Sequence, residues 1–345
     1  MVVAMNCYNV YVLSALESGI DIINSIKEDV KIQGIIGLKE NAKHNTISGY
    51  VDMSKFCKGQ KLKFVPVKSY DLKNQNDRQS ILSLKIDILL VLGWQRLIPE
   101  WLINHCDICA IGVHGSSYGI TLGRGRSPQN WSLILGKKKF SISIFKINTG
   151  VDSGEIIDTM SFTLSDFDDI KSCYYKTGLL ISKMLTKNIV NIPNLSTKKQ
   201  SETETKYLPQ RTPDDGEIDW DRSTKEIYNF IRALTKPYPG AFSKFNDCKL
   251  YVWKAKPFEL PLDIRENKTG EIIKIFHRGD LLIKTGDSLL LIEDYSLEPP
   301  DSKKYLQEGL IFSSCSFKEQ MQKIIGRHMI KYTDQPIHDD IMELS

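Results

Sequence analysis

The sequence predicts an α/β fold: a Rossmann-like parallel sheet in an N-terminal domain, followed by a smaller, mostly-β, OB-like C-terminal domain. Two features of the chain carry this prediction. Short apolar runs rich in β-branched residues alternate with amphipathic or polar stretches through the first half, which is the pattern of βαβ units. After a polar stretch at residues 196–204, short strand patterns separated by turn residues follow one another, which is typical of a small sheet or barrel.

The first half carries the strands of the parallel sheet. Its apolar runs lie at residues 10–13, 32–36, 62–67, 86–92 and 108–113. Amphipathic stretches at residues 16–27 and 78–84 predict helices between them. Residues 139–147 and 156–162 extend the sheet, and the alternation of Ser with apolar residues in the first of these predicts a strand with one wetter face. A helix over residues 168–191 completes this part.

The second part begins with a helix predicted over residues 224–235, for which Ser223 supplies a side-chain N-cap. The turn-rich residues 237–240 end it. Four short strand patterns follow, at residues 249–253, 270–276, 280–284 and 288–294. A helix predicted over residues 317–328 precedes a polar tail.

Composition limits the classes of protein. With 345 residues, 41% of them hydrophobic, each domain can bury a core, which excludes disorder of the whole chain. The 46 basic and 42 acidic residues leave a net charge of only +4, so no global field points to a nucleic acid or a membrane. Residues 1–206 hold 26 basic and 19 acidic residues, net +7, whereas residues 207–345 hold 20 and 23, net −3. An anionic ligand is therefore expected in the first part.

Cysteine usage and hydropathy indicate the compartment. Seven cysteines, an odd number scattered over a long chain, are typical of a reducing environment. Cys106 and Cys109 are spaced like half a zinc knuckle, but no second pair follows, so we expect no metal site. The N-terminal apolar stretch lacks the preceding Lys or Arg of a signal peptide, and no run reaches the ~18 apolar residues of a membrane span. We therefore expect a soluble, cytoplasmic protein.

Candidate functional residues lie where the apolar runs end, because ligands of open parallel sheets bind beyond the carboxyl ends of the strands. The run ending at residue 113 passes into His114, and a later loop carries Asp152 between Gly150 and Gly154. A His and an Asp at neighbouring strand ends can form an acid–base unit, in which the carboxylate orients the imidazole. The residues alone leave two alternatives open: a His satisfied by its surroundings, and an Asp in an ordinary turn. The sequence has no dinucleotide, nucleoside triphosphate or serine hydrolase motif.

Three segments together resemble the signature of the formyltransferases that use N10-formyltetrahydrofolate. They are HGS at residues 114–116, RGRSPQNW at 124–131 and TGVDSGEII at 149–157. Later in the chain, RTPDDGEIDW, IRALTKPYPGAF and KLYVWKA resemble the C-terminal domain shared by methionyl-tRNA formyltransferase and the enzyme that formylates an aminoarabinose nucleotide. With ISGYVDMSKFCKG, the first segments are most similar to the nucleotide-sugar N-formyltransferases. The resemblance covers the chain to about residue 294.

The resemblance and the composition together give the expected domain boundaries. We expect residues 1–192 to form the catalytic formyltransferase domain and 210–300 the C-terminal β domain, joined by a polar linker over 193–209; residues 301–345, which the resemblance does not cover, are expected to form a helical extension or tail. The resemblance also implies the catalytic residues. His114 matches the family's His, which handles the proton of the attacking amine, and Asp152 matches the Asp that orients it.

Gly112 stands where the family has an Asn that donates a hydrogen bond to the formyl oxygen. The loss of one such donor commonly costs on the order of 10²- to 10³-fold in rate. Three replacements are open: a backbone N–H, a water molecule or another side chain such as Asn130. The remaining alternative is a slow or silent protein.

The binding residues are also implied by the resemblance. The pterin would be held largely by main-chain groups of two segments, comprising Trp94, Gln95, Arg96, Leu97, Ile98, Thr149, Gly150 and Val151. For Trp94, a place in the core is an equal alternative. A pyrophosphate is best held by Arg side chains and by N–H groups at a helix start. The candidates for that role are Ser116, Arg124, Arg126 and Asn130. Either arginine could instead be a solvated loop charge or pin the loop to an acid.

The sequence therefore predicts an enzyme that transfers a formyl group from N10-formyltetrahydrofolate to the amine of a dTDP- or UDP-linked amino deoxysugar, for a surface polysaccharide such as lipopolysaccharide O-antigen. Its expected partner is the nucleotide sugar, with no membrane and no nucleic acid, and a homodimer is the oligomer considered. One alternative is methionyl-tRNA formyltransferase, which the net −3 of residues 207–345 argues against. The other is a silent folate- or nucleotide-sugar-binding protein, motivated by Gly112.

Overall fold

The computed structural model describes residues 8–41, 47–261 and 264–345. The chain forms two compact units, each assembled from separate stretches of sequence. The N-terminal unit contains the residues up to Arg124, then Lys139–Thr163 and Tyr174–Thr205. The C-terminal unit contains Gly125–Lys138, Leu164–Cys173 and Lys206–Ser345. Two segments from the first half of the sequence thus belong to the unit that is built mainly from the second half.

A seven-stranded sheet forms the centre of the N-terminal unit. Its strands are β1 (Val10–Leu13), β2 (Ile32–Leu38), β3 (Lys63–Val67), β4 (Ile88–Val91), β5 (Cys109–Ser116), β7 (Lys139–Lys146) and β8 (Ile156–Thr163), with the two-residue β6 (Arg124–Gly125) between β5 and β7 in sequence. They lie in the order β3-β2-β1-β4-β5-β7-β8. The first five are parallel, whereas β7 pairs antiparallel with both β5 and β8. The predicted Rossmann-like, mostly parallel sheet is confirmed.

The last two strands of this sheet are antiparallel because of their short connection. Nine residues, 147–155, separate β7 from β8. A parallel pair would need a crossover of about a dozen residues or more, so the chain turns back directly. Hydroxyl pairs line one face of these strands: Ser141 Oγ lies 2.9 Å from Ser161 Oγ, and Ser143 Oγ lies 2.8 Å from Thr159 Oγ1. The alternation of Ser predicted a wetter face; the observed face is lined by hydroxyl groups, but Ser143 is only 2% exposed.

Two apolar clusters lie against the sheet and involve its helices. The helices are α1 (Glu17–Ile26), α2 (Met53–Gln60), α3 (Gln75–Leu82), α4 (Glu100–Ile103), α5 (Gly119–Leu122) and α7 (Ile170–Asn188), followed by a 3-10 helix at Ile189–Asn194. Along β1, Val10 and Val12 belong to one cluster, while Tyr11 and Leu13 belong to the other. Strands buried on both faces appear in the sequence as continuous apolar runs, which is why this strand was predicted with its observed bounds. The sequence did not predict α2, of which only Met53 and Cys57 are buried.

The C-terminal unit combines a five-stranded antiparallel sheet with helices. The strands are β10 (Ala241–Phe245), β11 (Cys248–Pro257), β12 (Ile272–Ile275), β13 (Leu281–Lys284) and β14 (Leu289–Glu298), in the order β10-β11-β14-β13-β12. The remaining elements are α6 (Pro128–Ile134), β9 (Tyr207–Leu208), α8 (Thr224–Leu234), α9 (Phe317–Lys331), α10 (Asp339–Met342) and 3-10 helices at Pro213–Gly216 and Pro300–Tyr305. Ser223 caps α8 as predicted, in a capping box with Glu226. The sequence analysis missed β10, which directly follows the turn-rich residues 237–240.

The RTPDDGEIDW segment, residues 211–220, holds parts of the C-terminal unit together. The Asp215 carboxylate accepts the main-chain N–H of Thr212 at 2.6 Å and pairs with Arg327 of α9, also at 2.6 Å. Trp220 is fully buried and donates its indole N–H to Ser243 Oγ at 2.7 Å. These contacts give the segment a role in stability.

The polar tail after α9 is part of the same unit. The Tyr207 N–H donates to the Pro336 carbonyl at 2.8 Å, and the His338 N–H donates to the Tyr207 carbonyl at 3.0 Å. In α10, Ile341 is 0% exposed, whereas the neighbouring Met342 is 41% exposed. An apolar side chain that is completely buried contributes to the stability of the unit.

Ile341→Ala should lower the free energy of unfolding of the C-terminal unit by about 2–4 kcal/mol, because it leaves a cavity in a packed interior. Met342→Ala is the matched control and should change that free energy by less than ~0.5 kcal/mol. Urea unfolding followed by tryptophan fluorescence measures both variants. Equal stability of the two would mean that the tail does not pack in this way.

Candidate active site

His114 projects from a strand in the N-terminal unit. The sequence placed it just after a strand ending at residue 113, but β5 continues to Ser116. The reason is the antiparallel pairing with β7, in which His114 stands opposite Ser143 and Ser116 opposite Ser141. This pairing supplies hydrogen bonds to residues that lie beyond the apolar run, so His114 is held by regular strand backbone.

The structure brings His114 and Asp152 together. His114 Nδ1 lies 3.3 Å from Asp152 Oδ2, with side-chain exposures of 9% and 22%. On the other side of the ring, Nε2 lies 2.7 Å from the Gly123 carbonyl oxygen. A carbonyl oxygen only accepts, so Nε2 is the donor in that contact. Each ring nitrogen of His114 therefore faces an acceptor.

Asp152 lies in the loop between β7 and β8. It has a φ of +49°, in the left-handed region. Asn148 shapes the loop, because its Oδ1 accepts the Gly150 N–H at 3.1 Å and the Ser153 hydroxyl at 2.7 Å. A Cβ at residue 154 would overlap the Lys146 carbonyl oxygen, so the loop closes over the end of β7 only with glycine there. These contacts aim Asp152 at the ring of His114.

Gln200 contacts the same loop, although it comes from the stretch predicted as a linker. Its Nε2 donates to the carbonyl oxygens of Asp152 at 2.8 Å and Gly154 at 2.7 Å. Nearby, the Lys198 N–H donates to the Ile156 carbonyl at 2.8 Å. The sequence analysis missed Gln200, because a polar stretch without periodicity carries no local signal for such contacts.

Gly112, two residues before His114, has no room for a side chain. A Cβ at this position would lie 2.8 Å from Phe145 Cζ and 2.9 Å from Ile147 Cγ1. Phe145 is the residue of β7 that stands opposite Gly112. The volume that an Asn would need is therefore occupied by apolar side chains.

The segment after β4 contains the first set of predicted folate contacts. Trp94 is buried in the apolar core and packs edge-on against Tyr70, with ring centroids 4.7 Å apart. The Gln95 N–H donates to the Tyr70 hydroxyl at 2.9 Å, and the Arg96 guanidinium lies 5.2 Å from the Tyr70 ring centroid. Leu97 is 62% exposed, and Ile98 is buried. Trp94 thus packs beneath the segment in the core, and residues 95–97 form its exposed surface.

The second set of predicted folate contacts lies on the loop between β7 and β8, residues 147–155, which we call the acid loop because it carries Asp152. Thr149 and Gly150 are exposed there, and Val151 is half-buried.

Three of the four predicted phosphate contacts are buried and have partners within their own unit. Ser116 Oγ donates to the Gly119 carbonyl at 2.8 Å, and Arg124 Nη2 donates to Gln200 Oε1 at 3.1 Å. In the C-terminal unit, Asn130 Nδ2 donates to the Ala233 carbonyl at 2.7 Å. Arg126 is half-buried, and its main-chain N–H donates to the Leu208 carbonyl at 2.9 Å. In this arrangement the side chains of Ser116, Arg124 and Asn130 therefore hydrogen-bond to the protein itself and stabilise the local structure.

Of the cysteine pair singled out in the sequence, Cys106 is buried and Cys109 is half-buried, and neither forms a disulfide. Burial raises the pKa of the Cys106 thiol to about 12 and that of the Cys109 thiol to about 11. In the ranges that the structure describes, no three His, Cys, Asp or Glu residues are grouped so that they could hold a metal ion. The helices in those ranges also include none with the length and apolarity of a membrane span.

Family models match both parts of the chain. Residues 14–189 match the model described as "Formyl transferase", and residues 211–308 match "Formyl transferase, C-terminal domain". Among similar proteins, the methionyl-tRNA formyltransferase of Sulfurihydrogenibium sp. (strain YO3AOP1) is 31% identical over 74% of this chain and 84% of that protein. The bifunctional polymyxin resistance protein ArnA of Wigglesworthia glossinidia brevipalpis is 34% identical over 50% of this chain, and the match spans only 26% of ArnA.

Solved structures share the fold. WlaRD, a sugar 3N-formyl transferase crystallised in the presence of dTDP and 5-N-formyl-THF, matches with a TM-score of 0.56 and 15% identity, over 84% of this chain and 97% of WlaRD. HypX from Aquifex aeolicus in complex with tetrahydrofolic acid matches with a TM-score of 0.58 and 14% identity, over 96% of this chain and 58% of HypX. At these identities the matches describe the fold and leave the substrate open.

Gly112→Asn should destabilise the N-terminal unit by about 1–3 kcal/mol and should not raise turnover, because the new side chain would overpack against Phe145 and Ile147. Gly59→Asn is the matched control, since a Cβ at residue 59 meets open space. Thermal unfolding and a formyl-transfer assay measure both variants. Unchanged stability together with faster turnover for Gly112→Asn would contradict the steric argument.

Proposed function

The chain belongs to the formyl transferase family, and from that premise we propose that it transfers a formyl group from N10-formyltetrahydrofolate to the amine of a dTDP- or UDP-linked amino deoxysugar, for use in a surface polysaccharide such as lipopolysaccharide O-antigen. The transfer step is supported by the contact between His114 Nδ1 and Asp152 Oδ2, which lie 3.3 Å apart on side chains that are largely shielded from water. The acceptor is the finer part of the proposal and is argued separately below.

N10-Formyltetrahydrofolate is the formyl donor of this family, and it supplies an activated one-carbon group to the amine. Two exposed stretches fit a flat heterocycle: residues 95–97, where Leu97 is 62% exposed beside the main chain, and residues 149–150 of the acid loop. Exposed main-chain groups beside an apolar side chain can both hydrogen-bond and cover such a ring. We assign these stretches, with Ile98 and Val151 at their ends, to the donor and leave Trp94 to the core.

The role of His114 is to take the proton that the amine loses as it attacks the formyl carbon. The bond from that carbon to N10 then breaks, and N10 of the departing tetrahydrofolate takes up a proton. Nδ1 faces Asp152, so Nε2 is the nitrogen left for the exchange. It must be released by the Gly123 carbonyl and carry no proton when the amine approaches, with the ring proton on Nδ1 toward Asp152. Asp152 then stabilises the positive charge that forms on the ring. Because both side chains are mostly withdrawn from water, their attraction is screened less than it would be at an exposed site.

The formyl oxygen needs a donor other than the side chain of residue 112. Phe145 and Ile147 fill that position, and the amide of Asn130 is already bonded to the Ala233 carbonyl. A main-chain N–H, a water molecule or another side chain near the loop is left for this role, and each can stabilise developing negative charge.

Two observations support a nucleotide-sugar acceptor. The HGS and RGRSPQNW segments are most similar to those of sugar N-formyltransferases, and residues 1–206 carry the positive balance, net +7. Ser116, Arg124 and Asn130 are buried, whereas Arg126 is half-buried. We propose Arg126 for direct contact with a pyrophosphate, because a planar guanidinium can donate two hydrogen bonds to a phosphate group.

One observation favours a second candidate, methionyl-tRNA formyltransferase. Relatives with that name align over most of their length, at 31% identity over 84% for the Sulfurihydrogenibium protein. Against it stands the net −3 of residues 207–345, because a tRNA would require phosphate contacts over a broad basic surface.

His114→Asn and Asp152→Asn should each lower kcat by at least about 100-fold, and the double variant should be little worse than the poorer single one, because the two groups act as one unit. Stopped-time assays of formyl transfer measure all three. His277→Asn changes an exposed histidine of the C-terminal unit and should keep full turnover. Single losses that multiply in the double variant would mean that the two residues act independently.

Incubation with N10-formyltetrahydrofolate should formylate at least one 3-amino or 4-amino deoxysugar linked to dTDP or UDP and should leave methionyl-tRNA unchanged. A panel of these acceptors in the same salt, read by mass spectrometry, provides the measurement. Formylation of the tRNA alone would establish the second candidate. No product with any acceptor would favour a silent folate- or nucleotide-sugar-binding protein.

A further inference from the structure

Gln200 connects the two loops that surround the His114 ring. Its Nε2 donates to the carbonyl oxygens of Asp152 at 2.8 Å and of Gly154 at 2.7 Å. Its Oε1 accepts from Arg124 Nη2 and from Thr121 Oγ1, each at 3.1 Å. The side chain therefore holds the acid loop at one end and the segment around residues 121–124 at the other.

All hydrogen-bonding capacity of this amide is in use. A carboxamide has two N–H donors and two acceptor lone pairs, and each of the four has a partner here. The partners also set its orientation: both groups at Nε2 only accept, and both groups at Oε1 donate. Rotation of the amide by half a turn would break the contacts to the two carbonyls and to Arg124, because only the Thr121 hydroxyl can exchange donor for acceptor.

These four contacts bear directly on the imidazole. The two acceptors at the ring are the Asp152 carboxylate and the Gly123 carbonyl. Gln200 is hydrogen-bonded to the main chain of Asp152 itself and to the side chain of Arg124, which directly follows Gly123. These bonds constrain the distance between the Asp152 carboxylate and the Gly123 carbonyl.

Asp152 needs such support because of its backbone. A non-glycine residue with φ of +49° is in a sparsely populated backbone region and persists where its surroundings hold it. The bond from Gln200 to the Asp152 carbonyl is part of what holds it. Without this bond the acid loop can relax, and the carboxylate would no longer be aimed at Nδ1.

We propose that Gln200 is a positioning residue that keeps Asp152 and the Gly123 carbonyl on opposite sides of the His114 ring. The segment that connects α7 to β9 therefore contributes to the site. This inference rests on the proposed function, because Gln200 affects turnover only through His114 and Asp152.

Two substitutions of Gln200 separate positioning from mere packing. Gln200→Ala removes all four contacts, whereas Gln200→Glu keeps the acceptor for Arg124 and Thr121 but has no proton for the two carbonyls. Both should lower kcat roughly 10- to 100-fold, the size of a small misplacement, with KM for the donor changed by less than about threefold. Glu202→Gln, an exposed change two residues away, is the control and should match the wild type.

The double variant Gln200→Ala/Asp152→Asn tests the route of the effect. If Gln200 acts through Asp152, its loss should add less than about twofold once Asp152→Asn is present. An undiminished effect of Gln200→Ala in that background would overturn the proposal. Wild-type kcat in Gln200→Ala, or full rescue by Gln200→Glu, would also overturn it.

A measurement without turnover keeps the test independent of the acceptor. The ¹⁵N NMR signals of the His114 ring nitrogens report directly on their partners, so they should shift in both Gln200 variants and remain as in the wild type in Glu202→Gln. Thermal unfolding checks that each variant is folded. If the wild type formylates nothing, the proposed function fails, but unchanged His114 ring signals in folded Gln200→Ala and Gln200→Glu would still overturn the role of Gln200.

Discussion

The antiparallel pairing of β7 with β5 and β8 is the constraint on which the candidate site depends. It keeps β5 in strand conformation beyond its apolar run, so His114 projects from backbone that is bonded to β7. The same pairing sends the chain back after nine residues, and the turn that results carries Asp152 to the ring of His114. It also places Phe145 opposite Gly112, where the Phe145 ring occupies the space that a larger side chain at residue 112 would need. One register therefore sets both the position of His114 and the lack of room beside Gly112.

Each nitrogen of the His114 ring faces an acceptor, and the ring is little exposed to water. The arrangement therefore offers a ligand no vacant nitrogen, and the Gly123 carbonyl has to yield first. Access to Nε2 is thus coupled to the backbone around residue 123.

The polar stretch at residues 196–204 illustrates how a segment without apolar periodicity can still be structural. Loops that close over a strand end leave main-chain carbonyls that require donors. Gln200 satisfies two of them on the acid loop, and Lys198 pairs with Ile156 through its main chain. Polar composition is what such a position demands, so composition alone does not distinguish a connecting linker from a segment that belongs to the site.

The sequence by itself determined the parts of this protein that depend on neighbouring residues. Burial on both faces makes β1 and β4 continuous apolar runs, a Ser–Glu capping box starts α8, and the motifs around His114 and Asp152 indicate the family by their order and spacing. Only the tertiary structure decided the direction of β7 and β8, the filling of the space beside Gly112 and the contacts of Arg124, Asn130 and Gln200. The physical reason is separation along the chain. Gln200 reaches Asp152 across 48 residues and Asn130 reaches Ala233 across 103, and such contacts depend on strand register and side-chain packing that no local pattern encodes.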